Sequence, residues 1–490
     1  MITDSIFELI HAAATNLPAD VVESLISAKS RESDARGKIA FEIILENIAR
    51  AKKSARPICQ DTGAITFFVK SLPKNWEKIG KAIIAATKKA TKVGLLRPNS
   101  VDPISGKNLG NRPKIEFEIS ASSISKIQVL LKGGGSENVS AQISLPAETK
   151  FGLAGRDLAG IEKAARELLE NSVAKGCPPG VASIVVGGDR AEAFKLAKKN
   201  LLTKIGTPNS NPVLAKMEAT ILRKINSTRI GAGGLGGRTT LLDCKIAKLP
   251  RHPASFFVTL AYSCWATRRA KIVVDSAGKI LANDFSKRML PTDFTPKNAR
   301  KITLPTSEKE VRELRVGDLV AVSGCIFTAR DQVHQFALKN KLPKNLQNLG
   351  IFHAGPIAIR QKVASRQVQQ AHYKQARGKF SEKEIWKIVA AGPTTSARLD
   401  AFTPQFLAKT GARILIGKGG MGEATQKALQ KFGAVYCHAI GGAAAFYADA
   451  IREVRGVDFL DEFGMPEAMW ELEVENLLAI VGMDAQGGKI

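Results

Sequence analysis

Apolar residues in this chain come in short runs, and their spacing keeps switching between two periods. GKIAFEIILENIARA sets Ile39, Ile43, Ile44 and Ile48 at helical spacing, whereas SFFVTLAYSCW is a dense apolar run of strand length. No stretch approaches the ~18 consecutive apolar residues of a membrane span. Apolar periodicity recurs throughout, which excludes disorder over most of the chain. Such a polypeptide buries sheets against helices. Its 490 residues, 44% apolar and 24% charged, suffice for two to four domains at about 100–200 residues each.

The periods map an order of elements. Helices are expected over residues 1–50, 76–93 and 157–174, and again where Leu214, Met217, Ile221 and Ile225 recur. KIEFEIS, KIQVLLKG and CPPGVASIVVGGD read as strands. SKRMLPTDFTPKNARKITLPTSEKE then brings three prolines, many charges and little periodicity, the composition of an interdomain linker. The expected division is an N-terminal domain over 1–285, a linker over 286–310 and a second domain over 311–490. Strand and helix alternate again in VGDLVAVSGCIFTARDQVHQFALK, GARILIGKGGMGEATQKALQKFG and AVYCHAIGGAAAFYADAI. The fold class is therefore α/β, of the mixed α+β kind. Residues 359–387 break this rhythm with eight basic and two acidic residues, a basic insertion of open structure.

Charge and cysteine usage narrow the function classes. Lys and Arg total 72 against 45 Asp and Glu, a net charge of +27. That balance attracts anions, whether nucleic acid, acidic membrane or acidic small molecules. No nucleic-acid module is recognisable, and only 6% of residues are aromatic, so a base-stacking platform is not expected. Six cysteines without a CxxC pair are too few for a disulfide scaffold. MITDSIFELIHAAATNL carries Asp4 and Glu8 and lacks a basic leader, so it reads as a first amphipathic helix and the expected compartment is a reducing cytoplasm.

Several segments join reactive side chains to exposed backbone. In Pro57-Ile58-Cys59-Gln60-Asp61-Thr62-Gly63 a thiol stands beside an amide and a carboxylate on a turn. This suits a metal ligand next to an acid–base group, and equally a buried cysteine with a capping Asp. Gly176-Cys177-Pro178-Pro179-Gly180 follows a cysteine with two prolines, which fix the backbone and remove amide donors. His252 precedes Cys264 by the length of a strand and suits an acid, a base or a structural histidine. KGGGSEN, GAGGLGGRTT and GKGGMG let backbone amides approach an anion or cluster. None fits a phosphate-binding P-loop, and GAGGLGG follows a helix rather than a strand, so ATP and NAD are set aside. In GPTTSARLDAF, Arg398 lies four residues past Thr394 and close to Thr395, where it suits a carboxylate clamp or a surface position beside a helix cap.

In this order the segments resemble the class I, iron–sulfur-dependent fumarate hydratases, the family that also contains the L-tartrate dehydratases. The residues that carry the likeness are ICQDTG, RPNSVDPISGKNLGN, KGGGSENVSA, GCPP, GLGGRTT, HPASFFVTLAYSC, IFTARDQVH, GPTTSARLDAF, IGKGGMG, AIGGAAAFYA and EFGMPEAMWELEVENL. They run from about residue 20 to the C-terminus, with two halves fused that some members keep as separate polypeptides. The resemblance implies a 4Fe-4S cluster on Cys59, Cys177 and Cys264, with one iron left without a protein thiolate. It leaves Cys244, Cys325 and Cys437 as core residues. It implies Asp61 and Thr394 as an acid–base pair, with the direction of each proton transfer open, and His252 as a further site residue. It implies Arg97, Arg330, Arg398 and Lys418 as clamps for two substrate carboxylates, and Gln60, Gly134, Gly135 and Thr395 as further contacts.

The same likeness implies a cluster-binding first domain, a swivelling β/β/α-type second domain with the active site between them, and a homodimer. The expected partner is a small dicarboxylate, and neither a membrane nor a nucleic acid. The leading activity is reversible hydration of fumarate to L-malate, with L-tartrate dehydration or mesaconate hydration as relatives. A nucleic-acid-binding protein on an inactive fold is the remote alternative. Two departures stand out. Trp265 follows Cys264 where the family often has His, and the segment before Gly392-Pro393 is longer than a typical loop by roughly eighteen residues.

Overall fold

The computed structural model describes residues 1–292, 294–296, 298–363 and 383–490. The chain divides into two units: Met1–Thr295 with Ile440–Ala443, and Pro296–Ala439 with Ala444–Ile490. Each mixes helices with sheets, the fold class expected.

The first unit holds two sheets. Residues 1–50, expected to be helical, form three helices, separated where Pro18 and Asp34 interrupt the apolar period. Asp34 caps helix Ala35–Lys53 by accepting from the amides of Arg36 and Gly37. Helix Ile2–Thr15 buries Ile6, Leu9, Ile10 and Ala13, one face of a 3.6-residue period. These pack with Ile79, Ile83 and Ala86 of helix Trp76–Lys92 on a five-stranded sheet. That sheet runs in the order Lys114–Ile119, Ala64–Ser71, Ser125–Lys132, Arg268–Val274, Ile280–Asn283. The second sheet runs Ala141–Ser144, Phe257–Ser263, Gly180–Val186, Leu241–Lys248. Helix Leu158–Val173 covers it with Ile161, Leu168 and Leu169, the face expected from its spacing.

The second unit is built on a ring of strands. Leu319–Thr328, Gly350–Phe352, Ile414–Gly417 and Val435–His438 pair in parallel, and Met469–Met483 closes the ring antiparallel to the first and the last of them. Short runs such as ILIG and VYCH are buried throughout, as strands covered on both faces must be. Helices Thr403–Thr410 and Glu423–Phe432 end at Gly411 and Gly433, both in the left-handed region that glycine adopts without strain. Arg300–Thr303, inside the segment read as a linker, forms an edge strand beside Val320–Ser323. Its four residues are too short and too charged to announce themselves by pattern. Ile357–Val363 and Lys383–Ala390 pair as an antiparallel hairpin. Residues 364–382, most of the expected basic insertion, lie outside the described residues.

Candidate active site

Strand register gathers the three cysteines. Val181 pairs with Ser263, so Cys177 and Cys264 leave the four-stranded sheet at the same end, where the Trp265 amide approaches the Cys177 carbonyl at 3.4 Å. In the other sheet Ala64 pairs with Lys132 and Leu131 with Arg268. Cys59 and Cys264 therefore also emerge at one sheet end. The electrostatics agree with the register. The Cys264 thiol is pushed up to about 12, first by burial, next by neighbouring Cys177 and also by Cys59, while Arg268 opposes them. Cys59 and Cys264 are buried and Cys177 is half-buried, and none is in a disulfide.

The loop around Cys177 is held in an unusual backbone state. Cys177 has φ 58, a left-handed conformation that costs a non-glycine residue about 1–2 kcal/mol. Buried Tyr262 supports it from one side. A Cβ on Gly176 would come within 2.2 Å of that ring, and one on Gly180 within 2.0 Å of its hydroxyl, so only glycines fit at these two positions. Backbone strain maintained by its surroundings points to function. Among the described residues no group of His, Cys, Asp or Glu is placed to hold one metal ion. Three cysteines outside any disulfide, on separate loops with a guanidinium among their neighbours, suit a polynuclear iron–sulfur group, which takes thiolate ligands and carries negative charge.

Beside Cys59 lies a carboxylate held by backbone. Asp61 Oδ2 accepts from the Gly134 amide at 2.8 Å, and Oδ1 from the Gly63 amide at 3.1 Å. Arg97 Nη2 stands 3.9 Å from Oδ1. Gly63 is required here: its φ is +78°, and a Cβ would strike the Lys132 carbonyl at 2.3 Å. Gln60 is buried with its amide oxygen 3.5 Å from Cys59 Sγ. KGGGSEN, read as a loop, forms the short helix Gly134–Asn138, with Gly134 and Gly135 as its first residues. Lys132 anchors it, its ammonium bonding Ser136 O at 2.8 Å, Ser140 Oγ at 3.0 Å and Glu137 Oε2 at 2.5 Å.

His252 does not join this group. It sits on an exposed turn with Nδ1 accepting from the Ala254 amide at 3.1 Å. Strand Phe257–Ser263 separates it from Cys264, and seven residues at about 3.3 Å each put the two at opposite ends of the strand. Cys244 and Cys437 are core residues as expected, but Cys325 is only half-buried.

In the second unit the clamp residues share one loop cluster. The Thr394 amide donates to the His353 carbonyl at 2.6 Å, the Lys418 amide to the Thr394 carbonyl at 3.1 Å, and the Ser396 amide to the Lys418 carbonyl at 2.9 Å. This ladder ties Thr394, Thr395 and Lys418 together, with Thr395 bridged to Lys418. Ser396–Leu399 is a single 3-10 turn where an α-helix start was expected. Arg398 Nη2 reaches Thr394 Oγ1 at 3.1 Å and Asp331 Oδ2 at 3.1 Å. Arg330 pairs with Glu467 at 2.8 Å and donates to the Pro466 carbonyl at 3.1 Å. Burial raises the Glu467 carboxyl above its usual range, with Arg330 pulling the other way. Beneath the loop, buried His353 bonds Ser396 Oγ at 2.9 Å through Nδ1.

Sequence reasoning missed Arg268, Asp331, His353, Ser396 and Glu467. Asp331, Ser396 and Glu467 lie inside the quoted blocks IFTARDQVH, GPTTSARLDAF and EFGMPEAMWELEVENL. Arg268 and His353 carry no such signal.

Comparison with known proteins identifies the class. The family model for fumarate hydratase (fumerase) matches residues 3–273, and that for the fumarase C-terminus matches residues 276–490. The chain belongs to the fumarate hydratase family and is a hydro-lyase. It is 39% identical, over 99% of its length and 95% of the relative, to a Geobacillus stearothermophilus protein named "Putative fumarate hydratase class I". Its two parts are similar to the two subunits of a Methanocaldococcus jannaschii protein named "Putative L(+)-tartrate dehydratase". The alpha subunit is 39% identical over 55% of this chain and 96% of that subunit. The beta subunit is 40% identical over 38% of this chain and 87% of that subunit.

Proposed function

We propose that this hydro-lyase adds water reversibly to fumarate, giving L-malate, and that Cys59, Cys177 and Cys264 hold a 4Fe-4S cluster for it. The observation that carries this reading is the gathering of three cysteines, none in a disulfide, beside the amide-held carboxylate of Asp61. When bound, such a cluster supplies a Lewis-acidic iron without a protein thiolate, which stabilises hydroxide as a leaving group. The chain's own residues do the rest. Arg97, Arg330, Arg398 and Lys418 bind the two carboxylates, the guanidinium fork matching their planar geometry. Asp61 and Thr394 move protons. Two backbone amides orient the Asp61 carboxylate for this role. Arg398 donates to Thr394 Oγ1, so the hydroxyl proton points elsewhere and negative charge on that oxygen is favoured.

The names of the Methanocaldococcus relatives support L-tartrate as a second substrate. Tartrate and malate differ by one hydroxyl, and discrimination of that size is often modest. Six cysteines, none in a disulfide, suit a reducing compartment. The family resemblance supports a homodimer, which sedimentation at two concentrations tests. The deciding experiment is anaerobic purification with iron and sulfide analysis, followed by ultraviolet assays on fumarate, mesaconate and tartrate in parallel. Fumarate is expected to turn over fastest, and a large advantage for either other substrate would overturn the assignment. Cys177→Ser should lose bound iron and turnover together; a fully active variant would remove Cys177 from the ligand set.

A further inference from the structure

Among the described residues of the first unit, every buried cation but one pairs with a carboxylate. Arg269 pairs with Asp20 at 2.5 Å, Lys245 with Asp243 at 2.8 Å and Lys132 with Glu137 at 2.5 Å. Arg268 is 1% exposed, and the only hydrogen bond of its guanidinium among the described residues runs from Nη2 to the Asp61 carbonyl at 2.8 Å. Nε and Nη1 are buried and make none. Among the described residues no carboxylate lies within ion-pair distance of it. A buried guanidinium without a counter-charge is unfavourable enough that a fold keeps it only where something compensates. Arg268 opens strand Arg268–Val274, four residues past Cys264. A Cβ on Gly133 would lie 3.7 Å from Arg268 Nη2 and 3.3 Å from Asp61 Oδ2, so the guanidinium and the Asp61 turn are packed together.

We propose that Arg268 is a positioning residue whose missing counter-charge is the thiolate set of Cys59, Cys177 and Cys264 with the group it holds. Its fork links that charge to the backbone of Asp61. This rests on the ligand set proposed above. Three thiolates around an iron–sulfur core leave the assembly anionic, and an adjacent fixed cation favours its more reduced state. Arg268 thus tunes the cofactor with one nitrogen face and holds the acid–base carboxylate in place with the other.

The test compares Arg268→Gln, which removes the charge, with Arg268→Lys, which keeps it without the fork. Full-length variants are reconstituted anaerobically, and iron retention and cluster midpoint potential are measured beside kcat. Arg268→Gln should move the potential more negative and lower iron affinity by about 10–100-fold. Arg268→Lys should stay near the wild-type potential while kcat falls. A glutamine variant with wild-type potential and iron retention would overturn the proposal. Should that variant not fold, the lysine variant decides alone: a potential displaced as clearly as its kcat would refute a role for the charge. Wild-type protein that takes up no iron and sulfide would instead defeat the ligand set itself.

Discussion

Arg398 shows how much one side chain does in this site. It meets both the Thr394 hydroxyl and the Asp331 carboxylate through Nη2. Lysine keeps the charge but cannot reproduce planar, forked donation. Arg398→Lys should therefore lower kcat/KM by about 10–100-fold, roughly 1.4–2.7 kcal/mol of transition-state stabilisation, in anaerobic steady-state assays. A second residue-scale effect concerns pH. Burial lowers His334 and His438 to about 4, and lowers His353 well below its ordinary value of 6.5. All three are neutral when folded, and protonate near 6.5 once unfolded. Their contribution is complete above pH 6.5 and is lost as pH falls from there toward 4, by up to roughly 1.4 kcal/mol per pH unit for each histidine. Urea midpoints measured from pH 7.5 to 5 should show this slope, and His438→Gln should reduce it by one proton's worth. Cys59, Cys177 and Cys264 entered the candidate site through the family resemblance, because the residues around each suit a core cysteine as well as a ligand. Arg268 did not, since a basic residue opening a strand looks the same whether or not a carboxylate meets it in space.

At the scale of elements, what the sequence declares and what it hides separate by length. Helix Leu158–Val173 and strand Phe257–Ser263 appear where the apolar spacing puts them. Gly134–Asn138, Arg300–Thr303 and Ser396–Leu399 do not, because four or five residues carry too little periodicity for any pattern. Gly134–Asn138, for one, is held instead by side-chain bonds from Lys132 to Ser136 and Glu137. Helix Trp76–Lys92 carries a different irregularity, Gly80 in its interior. A Cβ there would meet only Phe117 Cζ at 4.0 Å. Gly80→Ala should therefore stabilise the protein by about 0.5–1 kcal/mol, seen as a raised urea midpoint with an unchanged slope.

For the molecule as a whole, each unit has its own apolar core. The Methanocaldococcus relatives match the two parts as separate subunits. Chains 1–295 and 296–490 produced together should yield hydro-lyase activity, and each alone should be inactive while showing mixed helix–sheet circular dichroism. Loss of all activity on co-expression would show that covalent continuity is required. Strand Met469–Met483 closes the second unit's ring. It pairs with Leu319–Thr328, Val435–His438 and Ile451–Asp458, yet it follows all three along the chain. During synthesis those earlier strands wait with bare edges until it emerges from the ribosome. A premature stop before Met469 would thus release a product whose unsatisfied backbone invites chaperones, proteases or aggregation.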